Sequence, residues 1–410
     1  AIVLGSDVGL SVRNANDLQS AVNAAVQKAV DARPKGTSKS YDPKQVKWRT
    51  FCNERKFDDG ILVTEAKILL WLQTVIVPGG NSKKKERVPG PDGQLGQAQL
   101  SYRTIDGYVS AAIDLYRRQQ SLGTNSHPNP RSKALTSYLE SLVRDETKRK
   151  RDQYEDRQAG TIQDGYSHAI FTRINNYYLQ QHELNHNAAR NRFDHLFGHA
   201  ILARGETMRN AQLADLFILP LPNEGAQPCH GVVLIMNNGK TNQFGRLEYG
   251  GCMRYKEILE CPHAALAIYL FERFHILGEP FPSFARREDW YDTQLLKHTR
   301  PTKPLTYRSQ YDNMKKVLKT LHITNSKKTH LNRGGGARRA EDNGASEARI
   351  RRAGRWVVEK MQGCYLTGLP RESMRAMAGF SVTPGAYHIA RASVEPPSSL
   401  QQQIFPTADA

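Results

Sequence analysis

Cysteine is scarce in this sequence, and no two cysteines form a close pair. The five cysteines are scattered along the chain, their number is odd, and no CxxC motif occurs. This pattern argues against a zinc site built from cysteine and indicates reduced thiols, as in a nuclear or cytosolic protein. They are Cys52, Cys229, Cys252, Cys261 and Cys364.

Acidic residues are few relative to basic ones, and long apolar runs are missing. The chain has 40 Asp and Glu against 58 Lys and Arg, which gives a formal net charge of +18. No apolar run approaches the length of a membrane span, and the first residues show no signal-peptide pattern. Because binding to phosphates is driven by release of condensed counterions, this charge makes polyanions the leading class of partner.

The N-terminal third of the chain predicts an arm and a small helical domain. A length of 410 residues favours two domains with ragged ends. Residues 1–40 are small and polar and predict a flexible N-terminal arm, in which only the stretch 18–30 favours a helix. Four helical segments then predict an α-helical domain over residues 41–147. These segments cover residues 41–51, 64–77, 105–116 and 135–143.

A basic run follows this domain. Lys148, Arg149, Lys150 and Arg151 open a charged stretch and predict a linker over residues 148–165. The run could also be a segment that contacts DNA or a nuclear localisation signal, and both alternatives are compatible with a linker.

The rest of the chain predicts a second domain and a tail. Residues 166–376 are mostly helical in pattern, with three short strand candidates at 216–219, 232–236 and 246–249. Residues 377–410 are rich in proline and predict an extended C-terminal tail. The predicted fold class is therefore mainly α with a small antiparallel β-sheet, an α+β protein.

One motif suggests a metalloenzyme, but its context argues against one. Residues His182 to His186 match HExxH, in which two histidines one helical turn apart hold zinc and the glutamate activates water. Neighbouring Gln and Asn residues instead indicate a polar helix face. The longer form of the motif fails at Ala189 and Arg192, where glycine and a third histidine are required, although Glu206 stays open as a ligand. We expect no metal.

A series of residues in the second domain carries side chains suited to phosphate chemistry. The lysine lies in a turn between two strand candidates, and the histidine and second arginine form an HxxR motif. The tyrosine lies nine residues beyond the tryptophan. Taken singly, most of these residues are more often structural, so the ordered series carries the prediction. The series is Arg209, Lys240, His330, Arg333, Trp356 and Tyr365.

This order is similar to the active-site series of the tyrosine recombinases and integrases, most of which have histidine in place of Trp356. Motifs such as Asn223-Glu224-Gly225 and Leu369-Pro370-Arg371-Glu372 further resemble the recombinases of Crypton transposons. Gln403-Ile404-Phe405-Pro406 also resembles the DNA-binding subunit of the point-centromere kinetochore, a non-catalytic relative. Gln212 departs from the glutamate of many members. The resemblance covers about residues 37–406.

The resemblance implies a tyrosine-recombinase fold, in which a helical core-binding domain and a catalytic domain clamp double-stranded DNA. Arg209 and Arg333 would hold the non-bridging oxygens of the phosphate as negative charge builds up on them. Tyr365 would attack the phosphorus and form a 3′-phosphotyrosine, so that cleavage and rejoining become two easier transfers. Because the protein link keeps the energy of the phosphodiester bond, neither ATP, a metal nor another cofactor is needed.

The remaining residues would support this attack. Lys240 would protonate the departing 5′-oxygen, and His330 would bind the phosphate or help accept the proton of Tyr365. Trp356 would shape the pocket, and which of Arg355 and Trp356 meets the phosphate stays open. Other tyrosines of the C-terminal half that remain candidates are Tyr249, Tyr255 and Tyr387.

Further basic residues predict a cradle for DNA around this series. Gly334-Gly335-Gly336 resembles a phosphate loop but lacks the lysine and serine of one, so we expect it to let the backbone approach DNA. The predicted DNA-binding residues are Lys83, Lys84, Lys85, Lys148, Arg149, Lys150, Arg151, Lys327, Lys328, Arg338, Arg339, Arg351, Arg352 and Arg355.

Three functions follow from the sequence. The first is an active nuclear recombinase that excises or integrates a mobile element as a homodimer or homotetramer on DNA. The second is a structural DNA-binding protein of the same fold, such as a centromere or transcription factor, with its chemistry unused. A zinc hydrolase comes far behind. Intact Arg209, Lys240, His330, Arg333 and Tyr365 favour the first, because a structural protein has no chemical need for all of them.

Overall fold

The chain divides into two compact units, Ala1–Glu155 and Asp156–Ala410. The computed structural model describes residues 4–81, 97–152, 166–236, 242, 245–325, 328–356 and 368–404. Within these ranges no helix combines the length and the apolarity that crossing a membrane requires.

The regular elements of the first unit, within its described part, are helices joined by turns and loops. The arm predicted for residues 1–40 is helical instead, and its helix is much longer than the stretch 18–30 that the sequence indicated. Arg33 fixes the junction after this helix, because it pairs with Asp42 and Asp114 at 2.6 Å each. The helices are α1 (Leu4–Asp31), α2 (Lys35–Arg55), α3 (Glu65–Trp71, continued by a π-turn over Leu72–Ile76), α4 (Tyr102–Ser121) and α5 (Lys133–Asp152).

Aromatic side chains form the centre of this unit. Trp48 of α2 meets Trp71 of α3 edge to face at 5.2 Å, and both are fully buried. The apolar stripe predicted on the third helix is confirmed, since Ile105, Val109 and Tyr116 are buried on α4. Periodicity alone therefore identified the face of α4 that packs into the core.

The basic run Lys148–Arg151 does not open a linker as predicted. It forms the last turn of α5. Basic side chains are favoured there because the carbonyl end of a helix carries partial negative charge, and Lys150 pairs with Glu146 one turn earlier at 2.7 Å. The remainder of the predicted linker, 153–165, lies outside the described residues.

The second unit is mainly α with a small antiparallel β-sheet, as the sequence predicted. The strands are β1 (Leu216–Pro220), β2 (His230–Met236) and β3 (Glu248–Met253), paired in the order β1-β2-β3. The helices are α6 (His168–Gln180), α7 (Ala188–Ala200), α8 (Gly205–Asn210), α9 (Pro262–Phe271), α10 (Tyr307–Thr320), α11 (Leu331–Asp342), α12 (Glu347–Gly354), α13 (Arg371–Met377) and α14 (Ser398–Ile404).

Helix α7 lies at the centre of the second unit. Most of its residues are buried, including Phe193, Leu196 and Phe197, and it packs against α6, α9 and α11. A helix buried on all sides cannot show the one-sided apolar stripe of a surface helix. Its sequence is accordingly mixed, with half-buried Asp194 and buried His195 and His199 among the apolar residues.

The triple glycine lies inside helix α11 and not in a loop. A Cβ on Gly335 would come within 2.5 Å of the Tyr166 ring, and one on Gly336 would lie 2.5 Å from the carbonyl oxygen of His199. At Gly334 a Cβ would meet nothing within 4 Å. Two of the glycines therefore allow α11 to pack closely against its neighbours. This corrects the expectation that the three glycines let the backbone approach DNA.

These glycines give a test with an internal control. We expect Gly336→Ala to lower the free energy of unfolding by about 2 kcal/mol, because a backbone carbonyl cannot give way cheaply. Gly334→Ala should raise it by about 0.5–1 kcal/mol, since alanine favours the helix and has room. Urea unfolding of both variants beside the wild type measures the difference, and equal effects would contradict this packing.

The predicted C-terminal tail is not a free extension at its start. Phe380, Tyr387 and Ile389 are buried in the core of the second unit. The carbonyl oxygen of Glu224 accepts hydrogen bonds from the backbone N–H groups of Gly385 and Tyr387, both at 2.9 Å. Its carboxylate pairs with Arg375 at 2.9 Å. The Asn-Glu-Gly motif therefore anchors the start of the C-terminal segment. The prolines of this segment indicated an extended tail, although its first part is packed against the second unit.

Candidate active site

The turn between α7 and α8 brings the described residues of the series together. Leu202 adopts a left-handed conformation, with φ 50°, which reverses the chain and leaves its carbonyl oxygen free to accept side-chain donors. Arg204 then caps α8, the short helix that carries Arg209. Side chains from α11 and from the end of α12 reach this turn, and Gln310 of α10 reaches Arg209 on α8.

Arg209 is held by a chain of polar side chains. Its Nη1 donates to Oε1 of Gln310 at 2.7 Å, and Nε2 of Gln310 donates to Oδ2 of Asp194 at 2.9 Å. The ring of Tyr307 lies 5.4 Å from the guanidinium carbon. A Cβ built on Gly205 would lie 3.2 Å from Nη1 of Arg209 and 3.1 Å from the carbonyl oxygen of Thr329. These contacts fix the orientation of Arg209, which lies near Thr329, the residue before His330.

Asp194 is an ionisable group at the base of this chain. Burial raises the pKa of its carboxyl to about 6, although the hydrogen bond from Gln310 and the charges of Arg190 and Arg209 act in the opposite direction. The raised pKa means that the folded state favours the neutral acid. Its contribution to stability is therefore complete below the unfolded pKa, near 4, and is lost as the pH rises through about 6.

A single substitution tests the direction of this pH dependence of stability. Asp194→Asn keeps an oxygen acceptor for Gln310 and removes the charge, so we expect it to stabilise the protein at pH 8 by up to about 3 kcal/mol. The gain in the free energy of unfolding should be about 2 kcal/mol smaller at pH 4.5, because the wild-type carboxyl is then mostly protonated and its buried charge no longer destabilises the fold. Urea titrations of both proteins at the two pH values measure it. A gain that is the same at both pH values would refute the buried charge.

Arg333 lies on the other side of the turn. Its Nη1 donates to the carbonyl oxygen of Leu202 at 2.9 Å, its Nη2 donates to that of Gly354, and its guanidinium faces the Trp356 ring at 4.6 Å. Burial, together with the neighbouring charges of Arg355 and Arg204, lowers the pKa of Arg333 to about 9. Three guanidiniums this close favour the arrival of an anion.

Arg355 and Trp356 are distinguished by their exposure. Arg355 ends α12 in a left-handed conformation, and its Nη2 donates to the carbonyl oxygens of Ile201 and Leu202, both at 3.1 Å. Its Nη1 is buried, and no hydrogen-bond partner for it occurs in the described part of the chain. Trp356 is 45% exposed. Of the two, Trp356 is the residue presented at the surface beside Arg333.

His330 completes the described part of the series. It is the N-cap residue of α11, it is exposed, and it precedes Arg333 by one helical turn. The structure therefore places Arg333 directly at the Leu202 turn and Trp356 against Arg333. Arg209 lies on the helix that follows the turn, and His330 comes directly after Thr329, whose carbonyl oxygen faces Gly205 at the start of that helix. Lys240, which falls between β2 and β3 in the sequence, and Tyr365, which falls between α12 and α13, lie outside the described residues.

Other tyrosines differ in their suitability as nucleophiles. Tyr255 and Tyr387 are buried, and burial raises the pKa of both hydroxyls, to about 12 for Tyr387. Tyr249 is half-buried on β3. Tyr307, which the sequence did not single out, is 56% exposed beside Arg209. Its place beside Arg209 follows from the packing of α10 against α8, a long-range contact that the sequence alone does not reveal.

Several predicted DNA-binding residues have partners within the fold. Arg339 pairs with Glu260 at 3.0 Å and faces the ring of Phe171 at 5.2 Å. Arg351 pairs with Glu347 on α12, Arg352 donates to the carbonyl of Gly368, and Lys328 donates to that of Asn325. Arg338 lines a cavity of about 610 Å³. These contacts give the residues structural roles, and their DNA-binding role stays a prediction. Lys83, Lys84, Lys85 and Lys327 lie outside the described residues.

The HExxH segment is not helical. Residues His182 to His186 occupy the turn between α6 and α7, so the two histidines are not one helical turn apart. Leu184 within it is 80% exposed. Across the described ranges, no group of three or more His, Cys, Asp or Glu side chains is placed to hold a metal ion. The helical face expected for this segment is therefore wrong.

Comparison with known proteins gives one family. The family model of the centromere DNA-binding protein complex CBF3 subunit, domain 2, matches residues 119–410. None of the curated proteins matches the chain significantly.

Solved structures similar to this chain include recombinases and a kinetochore protein. The chain is 14% identical to XerH site-specific recombinase bound to its difH substrate, with 82% of this chain and 78% of that one covered and a TM-score of 0.49. It is 12% identical to FLP recombinase in a Holliday junction complex, covering 93% and 95%, with a TM-score of 0.42. Ndc10 of budding yeast is 12% identical, covering 94% and 83%, with a TM-score of 0.33. Similarities of this size carry no argument about function.

Proposed function

Because this chain belongs to the family of the centromere DNA-binding protein complex CBF3 subunit, domain 2, we propose that it binds double-stranded DNA in the nucleus. We further propose that it cleaves and rejoins one strand at a time through Tyr365, as a tyrosine recombinase. More specifically, we propose that the protein excises or integrates a mobile element of the Crypton type, acting as a homodimer or homotetramer on DNA.

The grouping of cationic side chains around the Leu202 turn carries the proposal. Arg209 and Arg333 come from elements far apart in sequence, and each is oriented by hydrogen bonds to its neighbours. Such preorientation is what a site needs to stabilise charge that develops in a transition state, because no reorganisation is then required during the reaction. A plain phosphate contact on a basic surface does not need it.

The proposed reaction uses each group once. The Tyr365 oxygen attacks the phosphorus, forming the phosphotyrosine bond while the bond to the 5′-oxygen breaks. The Tyr365 proton passes toward His330 or solvent, and Lys240 protonates the departing oxygen. Arg209 and Arg333 hold the two non-bridging oxygens. Rejoining reverses these steps, with a 5′-hydroxyl as the attacking group.

The family favours a second candidate function. Its description is that of a centromere DNA-binding protein, so the same fold could serve to hold DNA with the chemistry unused. Under this alternative Arg209 and Arg333 would be phosphate contacts that position the duplex. Both functions require DNA binding, and only the first requires a covalent intermediate.

Trapping on a nicked suicide duplex separates the two. Cleavage next to the nick releases a short fragment, so rejoining cannot occur and the covalent protein–DNA adduct accumulates. The recombinase proposal predicts a slowly migrating adduct on a denaturing gel. No adduct, on DNA that the protein binds tightly, would leave the structural function.

Salt dependence tests the DNA-binding part of the proposal. Lys148 and Arg151 are exposed at the end of α5, and changing both to Gln should weaken binding about equally for all sequences. The slope of log affinity against log salt should flatten by about 2, one unit for each lost phosphate contact. Arg286 and Arg308, exposed arginines already paired with Asp289 and Asp312, serve as the control pair. Equal slopes for both double variants would contradict a DNA role for the run.

A further inference from the structure

The first turn of helix α11 is held only weakly by its own backbone. The hydrogen bond that opens the helix, from the N–H of Gly334 to the carbonyl oxygen of His330, is long at 3.4 Å. The side chain of His330, the N-cap residue, makes no capping hydrogen bond. Helix ends open locally at little cost in free energy unless side chains hold them. Because this turn carries His330 and Arg333, its position decides where both side chains lie.

A side chain of the same turn connects it to helix α7. Asn332 directly precedes Arg333, and its Oδ1 lies 2.9 Å from Nδ1 of His195 on α7. The same Oδ1 lies 3.4 Å from the hydroxyl of Tyr166, which also bonds Nδ1 of His199. Tyr166, His195 and His199 are each at most 3% exposed. We call Asn332 and these three residues the buried network.

The chemistry of the buried network assigns its donors and acceptors. Burial lowers the pKa of His195 to about 4 and that of His199 well below its usual value, so each ring is neutral at neutral pH and carries one N–H. An amide oxygen only accepts, so Nδ1 of His195 and the hydroxyl of Tyr166 donate to Oδ1 of Asn332. Since the tyrosine has then given its one hydrogen, Nδ1 of His199 donates to the Tyr166 oxygen. All three donors converge, directly or through Tyr166, on the acceptor that Asn332 supplies.

The packing of α7 and α11 is matched to this network. A Cβ built on Gly198 of α7 would lie 3.2 Å from Nδ2 of Asn332, so the glycine leaves room for the amide. The Tyr166 ring lies against Gly335, one turn further along α11. Loss of the Asn332 oxygen would leave two buried donors unsatisfied, which is unfavourable for each of them. The first turn of α11 is therefore most stable where Asn332 meets both donors.

We propose that Asn332 is a positioning residue, which holds the first turn of α11 against α7 so that His330 and Arg333 are presented to the phosphate. This inference rests on the cleavage function proposed above. The hydrogen bonds of Arg333 to the carbonyl oxygens of Leu202 and Gly354 fix the guanidinium end of its side chain, whereas Asn332 fixes the backbone from which it extends. A misplacement of about 1 Å is enough to slow a reaction on the order of a hundredfold.

Asn332→Leu tests this role, because it removes the acceptor and keeps a branched side chain of four heavy atoms. The amides of Gly334 to Gly336 bond back to the first turn, and we expect them to exchange with solvent at least about tenfold faster. Cleavage of a suicide duplex at saturating DNA should slow by about tenfold to a hundredfold. DNA affinity should fall by less than about threefold, since the cationic surface is unchanged. Hydrogen exchange followed by mass spectrometry, cleavage and binding are all measured on the full chain.

Asn175→Leu is the matched control. Asn175 is fully buried in the same unit, accepts a hydrogen bond from Nε of Arg192 and donates one to the carbonyl oxygen of Leu259, both at 2.8 Å. Neither bond involves α11, so the substitution should destabilise the fold without releasing that helix. Below its melting temperature, this variant should retain the wild-type exchange of the α11 amides and the wild-type cleavage rate.

A milder pair of variants keeps the test decisive if a leucine variant does not fold. Tyr166→Phe and Tyr269→Phe each remove one buried hydroxyl, but Tyr166 contacts Asn332 whereas Tyr269 donates to the carbonyl oxygen of Leu295. Tyr166→Phe should speed exchange and slow cleavage in the same direction as Asn332→Leu, by smaller factors. Tyr269→Phe should change neither.

The outcomes separate this inference from the cleavage function. Unchanged exchange in Asn332→Leu, or faster exchange with an unchanged cleavage rate, would overturn the positioning role while cleavage itself stands. Equal slowing of cleavage by Asn332→Leu and Asn175→Leu would make Asn332 a stabilising residue only. A wild type that forms no adduct, with exchange still faster in Asn332→Leu, would refute the cleavage function and not the hold of Asn332 on the turn.

Discussion

Tyr365→Phe is expected to abolish formation of a covalent DNA adduct while leaving DNA binding unchanged. The substitution removes one hydroxyl and little volume, so neither the fold nor the contacts to phosphate should be lost. The nucleophile would nevertheless be gone, and no phosphotyrosine bond could form. The measurement is a labelled suicide duplex with a denaturing gel, run beside a binding assay on the same DNA.

The choice of control makes this prediction specific. Tyr307→Phe removes the same atom from an exposed tyrosine beside Arg209 and should leave most adduct formation intact. An adduct that persists in Tyr365→Phe and disappears in Tyr307→Phe would move the nucleophile to α10. An adduct lost in neither variant would direct attention to Tyr249, since Tyr255 and Tyr387 are buried.

Arg333→Ala is expected to slow cleavage by on the order of a hundredfold or more at saturating DNA. The developing charge on the phosphate would lose half of its clamp. Arg333→Lys keeps the charge but loses the planar fork that can hold two oxygens at once, so it should also cleave at least about tenfold more slowly.

Because Arg333 also supports the fold, its effect needs a structural control. Arg355 donates to the same carbonyl oxygen of Leu202, and its side chain is half-buried. If Arg333 acted only by stabilising the fold, Arg355→Ala would slow cleavage as much as Arg333→Ala. We expect the Arg355 variant to unfold at a lower temperature yet, below its melting point, to cleave faster than the Arg333 variant. Equal cleavage by the two, matched for stability, would assign Arg333 a structural role only.

The sequence predicted those parts of the fold that depend on local periodicity. The stripe on α4 matched the structure because that helix has one buried face and one exposed face, whereas β2 is buried along most of its length and was indicated by its continuous apolar run. β3 was placed two residues too early, since Arg246 and Leu247 have the composition of a strand but precede the pairing with β2. The arm was misjudged because α1 has few large apolar residues, and the tail because proline suggests extension even where the chain is packed.

Recognition of the site depended on the order of its residues, whereas its supporting contacts could not be predicted. Arg209 reaches Asp194 only through Gln310, which is 101 residues beyond the arginine, and Arg333 bonds a carbonyl 131 residues earlier. Neither Gln310 nor Leu202 carries a local pattern that marks it. Such contacts arise only when α7, α8, α10 and α11 are packed together.

Mass spectrometry of the trapped complex identifies the residue that is linked to DNA. After proteolysis and nuclease digestion, we expect a peptide in which the oxygen of Tyr365 carries a 3′-phosphonucleotide. A nucleotide on any other tyrosine would contradict the assignment of Tyr365. No linked peptide at all, from protein shown to bind the duplex, would contradict the cleavage function itself.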